Sequence, residues 1–193
     1  MTKAVNPTFR RPKGLLIDLD GTVFPKSNQP SNAVKAAITA ASKIIPVAIA
    51  SGRVQDDVCH YARLFGLTTL QIADNGATLI DPLTGCATIR RTFTKADAMH
   101  AVSILESIAS WVLVCDAGRL VLLPKNITEW DITVIMGEFP NESEAMHWEE
   151  CLKSDTLAAS ASIDNVDKWY IDCTVAGVDK AYGAAEFASN IGI

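Results

Sequence analysis

Apolar and polar positions follow two different textures along this chain. From residue 14 to about 85, short continuous apolar runs alternate with stripes at helical spacing. Leu15-Leu16-Ile17 and Pro46-Val47-Ala48-Ile49-Ala50 have strand length and no polar interruption, the pattern of strands buried on both faces of a parallel sheet. Between them Val34, Ala37, Ile38 and Ala41 recur at helical spacing behind Ser31 and Asn32, either of which can cap. A second stripe, Val54, Val58, Tyr61, Ala62 and Phe65, is closed by Gly66, a residue suited to the left-handed end of a helix. A third run ends at Ile72-Ala73, and Leu79-Ile80 reads as a strand returning from a turn at Asn75-Gly76. Strand, helix, strand, helix, strand in this order predicts crossover connections and an α/β core with a parallel sheet.

The texture changes between residues 86 and 173. Thr94 and Asp97 form a capping pair ahead of Ala98, Val102, Leu105 and Ala109. Trp111–Cys115 and Arg119–Leu123 flank Asp116-Ala117-Gly118, a hairpin pattern, and another strand follows near Ile132–Met136. Asn141 and Glu144 cap a helix through Lys153, and Asp164-Asn165 separates two strand-like runs, Leu157–Ile163 and Trp169–Val175. This order predicts an inserted α+β unit with an antiparallel sheet, joined to the core at hinges near Pro82–Gly85 and Val175–Gly177. The expected organisation is a tail over 1–13, core over 14–85, inserted unit over 86–173, and a return to the core over 174–193.

With 193 residues, 49% of them hydrophobic, the chain can build a real core. The net charge of −5 and the lack of a long basic run argue against a nucleic-acid backbone as partner. The short cluster Arg10-Arg11-Pro12-Lys13 reads as a solvated lead-in. Five scattered cysteines without a Cys-x-x-Cys pair, and three histidines at unrelated positions, predict free, mostly buried thiols and no zinc site. No apolar run reaches the ~20 residues needed to span a bilayer, and the cytoplasm is the expected location. All four tryptophans fall in residues 86–173, where packing against helices is the favoured reading over a substrate platform.

The chemistry lies where the first apolar run stops. Asp18-Leu19-Asp20-Gly21-Thr22 follows Leu15–Ile17 directly, and open α/β sheets bind ligands beyond the carboxyl ends of their strands. Two carboxylates there can divide phosphoryl transfer: Asp18 attacks phosphorus, while Asp20 protonates the leaving oxygen and later activates water. Asp-Gly is also a hairpin signal. After the second run, the Ser51 hydroxyl and backbone N–H groups at a helix start suit a phosphate, although Ser51 taken alone is more often a plain cap. Asn75-Gly76 is open to a turn or a functional reading. Lys180, alone, would be solvated surface at a helix start.

These segments together resemble the haloacid dehalogenase superfamily, in its Cof-like subgroup. Asp18-Leu19-Asp20-Gly21-Thr22 is similar to the first motif, Ser51-Gly52-Arg53 to the second, Asn75-Gly76-Ala77 to the subgroup's third-strand ending, and Gly177-Val178-Asp179-Lys180 to the third motif. The resemblance implies a Mg2+-dependent phosphatase of small phosphorylated metabolites, sugar phosphates or similar, working through a phospho-aspartate at Asp18. It places Mg2+ on the Asp18 carboxylate and the Asp20 backbone carbonyl. Thr22, Ser51, Gly52, Arg53, Asn75 and Lys180 become phosphate- or substrate-binding residues, and Val23-Phe24-Pro25 starts a short flap. The inserted unit becomes a cap that chooses the substrate. A catalytically impaired scaffold and a sugar phosphomutase are the alternatives. Family members continue with a fourth, carboxylate-bearing motif where this chain ends, so the expectation is a core incomplete at its C-terminus. Leu15–Ile17 would then form an open edge, covered by a missing segment or by another copy. Asp172 or Asp179 would have to replace the absent carboxylates.

Overall fold

β1 (Leu15–Ile17) and β2 (Val47–Ile49) pair in parallel, with Leu16 opposite Ala48. The computed structural model that shows this describes residues 11–24, 29–123, 127–164 and 166–193. Residues 1–10 of the tail, Pro25 of the flap and Asn165 of the expected turn lie outside the described residues. The crossover is α1 (Asn32–Ser42), whose first turn is closed by the Ser31 hydroxyl accepting from the Val34 N–H at 3.2 Å. α2 (Gln55–Phe65) presents Val58, Ala62 and Phe65 to the core and ends on Gly66 at φ 71°, so the stripe and its stop signal lie where the sequence puts them.

The third strand, β3 (Gln71–Ala73), departs from a regular parallel ladder. It meets β2 through a single bridge, Ala50–Ile72, and through the Ser51 N–H donating to the Ile72 carbonyl at 3.1 Å. The buried Gln71 side chain explains the interruption. Its amide oxygen accepts from the Ile49 N–H at 2.8 Å, taking the place of a main-chain acceptor. The main partner of β3 is antiparallel β4 (Thr78–Ile80), reached through a single turn at Asp74–Gly76 in which Asp74 and Asn75 have φ of 51° and 53°.

β5 (Ala87–Arg90) adds to the other side of β4. Residues 87–90, expected in the inserted unit, therefore continue the core ladder, because Ile89 packs on the cluster of Ile72, Leu79 and Phe187. Pro82–Gly85 joins two core strands instead of hinging two units. The crossing comes at 91–93, where the Arg91 N–H donates to the Ala77 carbonyl and the Phe93 N–H to the Ile132 carbonyl.

α3 (Lys95–Ile108) opens the inserted unit, capped by the Thr94 hydroxyl on the Asp97 N–H. β6 (Val112–Asp116), β7 (Arg119–Leu122), β8 (Ile132–Phe139), α4 (Glu142–Leu152), β9 (Leu157–Ile163) and β10 (Trp169–Val175) follow. The strands form one antiparallel sheet in the order β7-β6-β8-β10-β9. β8 runs three residues beyond the expected strand. Its Gly137 interrupts the apolar pattern yet fits the sheet, since a Cβ there would come within 2.9 Å of the Cβ of Ala109, which ends α3. One face of this sheet, with Ile135, Ile171 and Cys173, packs under α3 and α4 in a cluster of its own. α5 (Lys180–Asn190) then returns to the first unit, with Asp179 capping the Tyr182 N–H at 2.7 Å.

The two units touch through Val54, Cys115 and Val134, and through Thr133, whose hydroxyl donates to the buried Asp74 carboxyl at 3.0 Å. Among the described residues, the second edge of β1 carries no ladder, and Leu15 and Leu16 are 39% and 38% exposed. All five cysteines are free, with Cys59, Cys115 and Cys173 buried and Cys86 and Cys151 exposed. No helix among the described residues is long and apolar enough to cross a membrane.

Candidate active site

The carboxyl end of β1, the loop after β2, the Asp74–Gly76 turn and the start of α5 converge on one cavity of about 740 Å³, roofed by the open face of the inserted sheet. Asp18, Asp20, Ser51, Gly52, Arg53, Asn75 and Lys180 all line it. Thr22 does not. It is exposed, and its N–H closes the turn by donating to the Leu19 carbonyl at 3.3 Å. Val23 and Phe24, from the expected flap, are buried in the first unit's core.

Each position has a local cause. Three apolar residues hold β1 against β2, so Asp18 emerges at the strand end with its side chain about one-third exposed. There the Lys180 ammonium donates to Asp18 Oδ1 at 2.6 Å. Lys180 is the first residue of α5, and its placement depends on glycine contacts. A Cβ on Gly76, whose φ is +104°, would lie 1.9 Å from the Asp179 carbonyl oxygen, and one on Gly183 would lie 2.9 Å from the Gly76 Cα. The Asp74–Gly76 turn and α5 thus meet backbone to backbone, which answers why Gly76 stands after Asn75.

Asp20 is gripped by Arg53, Nε donating to Oδ2 at 2.8 Å and Nη2 to Oδ1 at 2.7 Å. The Arg53 guanidinium also lies over the rings of Phe24 and Tyr61, at 5.2 and 5.6 Å from their centroids, and 3.5 Å from Asp57. The hydrogen bonds to Asp20 raise the Arg53 pKa above its ordinary value, against the opposing effect of burial. Ser51 is 1% exposed, and its hydroxyl accepts from the Arg53 N–H at 3.2 Å. That bond belongs to a tight loop preceding α2, since the residue before the helix, Val54, provides no side-chain cap. The Asn75 N–H donates to the Ser51 carbonyl at 3.1 Å, tying the second and third segments together.

Two buried carboxyls stand near the site: Asp74, which the sequence does not single out, and Asp172, which it offers only as a replacement metal ligand. Asp74 accepts from the hydroxyls of Thr78 and Thr133, and burial raises its pKa. It links the two units without lining the cavity. Asp172, on β10, is 7% exposed and lines the cavity roof, and its Oδ1 has no partner among the described residues. Burial pushes it up to about 7, partly opposed by the Lys180 charge. Its sequence signal is a single acid in the middle of an apolar strand run, which fixes a face but not what that face looks upon.

No group of three or more His, Cys, Asp or Glu side chains among the described residues could hold a metal ion. Asp179 is occupied as the α5 cap, and Asp172 lies on the roof beside Gly52. The remaining donor set, the Asp18 carboxylate and the backbone carbonyl of Asp20, fits a cation of the Mg2+ type only as a site shared with phosphate oxygens, since Mg2+ is commonly held through one or two carboxylates plus substrate phosphates. The Asp20 carboxylate itself is taken up by Arg53.

Residues 15–143 match the model of the haloacid dehalogenase-like hydrolase family. No sequence among the curated proteins matches the chain. Solved structures similar to it include a haloacid dehalogenase-like hydrolase from B. subtilis, 18% identical over 94% of this chain and 80% of that one, with a TM-score of 0.77. A phosphatase of the same superfamily from Bacteroides thetaiotaomicron is 17% identical over 100% of this chain and 78% of its own, at a TM-score of 0.72. A subclass IIB sugar phosphatase is 15% identical over 94% of this chain and 77% of its own, also at 0.72. At such identities the likeness carries the fold.

Proposed function

Because the chain belongs to the haloacid dehalogenase-like hydrolases and has the fold of their Cof-like, subclass IIB members, we propose that it hydrolyses phosphate monoesters of small metabolites. One observation carries this reading: four segments far apart in sequence bring Asp18, Asp20, Ser51, Asn75 and Lys180 to the floor of a single cavity. The inserted unit, roofing that floor, takes the part of a cap.

Asp18 Oδ attacks phosphorus, and the bond from phosphorus to the ester oxygen breaks as the aspartyl phosphate forms. Asp20 in its protonated form gives its proton to the departing alkoxide, releasing the alcohol. Water then attacks the phosphorus of the aspartyl phosphate while the Asp20 carboxylate takes its proton. The bond to Asp18 breaks, inorganic phosphate leaves, and both carboxyls return to their starting state. Lys180, 2.6 Å from Asp18, keeps positive charge beside the phosphoryl oxygens. Ser51, with the N–H groups of the loop that follows it, is placed to orient them. The Asp18 carboxylate and the Asp20 carbonyl would hold Mg2+, which when bound supplies charge neutralisation to the phosphoryl group.

The test is Asp18→Asn, which keeps the side chain's shape and removes the attacking charge. Hydrolysis of p-nitrophenyl phosphate with Mg2+ should fall to background while the circular dichroism spectrum is unchanged. Turnover retained at a substantial fraction of wild type would refute the assignment of Asp18.

A further inference from the structure

The alternation of β10 separates two environments. Ile171 and Cys173 face the helices and belong to the inserted unit's core. Tyr170, Asp172 and Thr174 line the cavity. Across the sheet, Asp172 stands opposite Ser160 of β9 and Met136 of β8, both of which also line it. The carboxyl reaches across to the phosphate-binding loop, because a Cβ on Gly52 would lie 3.2 Å from Asp172 Oδ2. It therefore hangs beside the place where a phosphoryl group meets Ser51 and Lys180.

Neighbouring polar groups on this roof are already paired. The Thr174 hydroxyl donates to the Val178 carbonyl at 2.6 Å, the Tyr170 hydroxyl donates to Asp164 at 3.0 Å, and the Trp111 N–H donates to Glu138 at 2.8 Å. Of the described residues lining the cavity, only Asp172 has a buried side-chain polar atom without a partner. Burying a carboxyl without compensation is costly, and such an orphan in a native site calls for an explanation outside the protein's own bonds.

The charge balance decides what can supply it. Beyond the Asp18–Lys180 and Asp20–Arg53 pairs, the lining carries Asp164, Asp172 and Asp179 and no further basic side chain. A second anionic group on the substrate would find acidic side chains on the lining and no basic one outside those two pairs.

Resting on the phosphatase reading of this site, we propose that Asp172 is a specificity-determining residue: it accepts a hydrogen bond from a hydroxyl or ammonium group carried next to the phosphoester, and it turns away phosphoesters that carry a second anion there. Ser160, opposite it in the register, offers a hydroxyl to the same part of the ligand.

Three small esters test this: glycerol 3-phosphate for hydroxyl, phosphoethanolamine for ammonium, and phosphoglycolate for carboxylate without a hydroxyl, with inorganic phosphate as reference. Binding is measured by calorimetry above pH 7, where Asp172 is ionised, in the presence of a chelator, on wild type, Asp172→Asn and Asp172→Ala. Wild type should bind a donor-bearing ester roughly tenfold or more tighter than phosphoglycolate, the span of a hydrogen bond to a charged group. Both variants should lose that preference and leave inorganic phosphate unchanged. A larger loss for phosphoethanolamine identifies ammonium as the donor, and a larger loss for glycerol 3-phosphate identifies hydroxyl. Equal effects on all four ligands, or no effect on any, would overturn the proposal. Hydrolysis of p-nitrophenyl phosphate is followed in parallel: selective binding without turnover counts against the phosphatase reading alone, turnover without altered selectivity counts against Asp172 alone, and no binding of any ligand counts against both.

Discussion

Arg53 holds both carboxylate oxygens of Asp20, at 2.8 and 2.7 Å, from 33 positions further along the chain. The pair is a planar fork on a planar acceptor, and the guanidinium lies over the rings of Phe24 and Tyr61. A lysine would keep the charge and lose both the fork and the stacking. Under the proposed mechanism, Arg53 in this arrangement orients Asp20 for proton exchange with the leaving alcohol. Arg53→Lys should therefore lower kcat by roughly tenfold or more, the range of a charge-assisted hydrogen bond, with a smaller change in KM. Steady-state kinetics on p-nitrophenyl phosphate separates the two. A pure rise in KM would instead make Arg53 a substrate-binding cation.

Gly76 should be nearly irreplaceable. Alanine there combines a φ of +104° with a Cβ 1.9 Å from the Asp179 carbonyl oxygen. Strain and overpacking together should cost about 3 kcal/mol or more, lowering Tm by roughly 6–12 °C in a chain of this size. Gly66→Ala is the control, since its φ of +71° is strained but its Cβ meets nothing within 4 Å, and its loss should be nearer 1 kcal/mol. Calorimetric melts that give the two variants equal losses would show that the backbone contact with α5 is not what Gly76 protects.

Asp172 sets a pH dependence of stability. Its carboxyl, ordinarily at 3.8, is pushed up to about 7 by burial, so between these values the folded chain binds more protons than the unfolded one. Stability from this group is full below the lower value and falls as pH rises toward the upper. Asp172→Asn has no such titration. Its stability relative to wild type should climb from about pH 4 to about pH 7 by on the order of 3–4 kcal/mol and then level off. Urea unfolding of both proteins across this range provides the measurement. A constant difference would show that Asp172 is not held neutral in the fold.

The open edge of β1 predicts association. Its second side carries no ladder among the described residues, and Leu15 and Leu16 are partly exposed. An apolar edge with unpaired backbone groups is a template for another strand. The 193-residue chain should self-associate as its concentration rises, and Leu16→Lys, a charge of the kind that blunts edges, should shift it to the smaller species. Sedimentation velocity would contradict this if the wild-type chain stayed monomeric from micromolar to submillimolar concentration.

What the sequence by itself determined was local. Helix stripes, the caps at Ser31, Thr94 and Asn141, and the left-handed stop at Gly66 stand where the pattern places them, because periodicity and capping act over a few residues. The motif residues could be picked out for the same reason, each at the end of its own strand or the start of its own helix. Tertiary structure decided the rest. Lys180 reaches Asp18 across 162 positions, and only the seating of α5 on Gly76 fixes that distance. Residues 87–90 join the core because Ile89 finds the Ile72 cluster, a choice that four residues of ambiguous alternation could not make alone. Arg53 looks in sequence like a cation free to grip phosphate, and the fold gives it to Asp20. Asp172 looks like one acid in a strand, and only the docking of two units turns it into a buried carboxyl beside the Ser51–Arg53 loop, its Oδ1 without a partner among the described residues. Such assignments depend on which surfaces exclude water from one another, and no single segment carries that information.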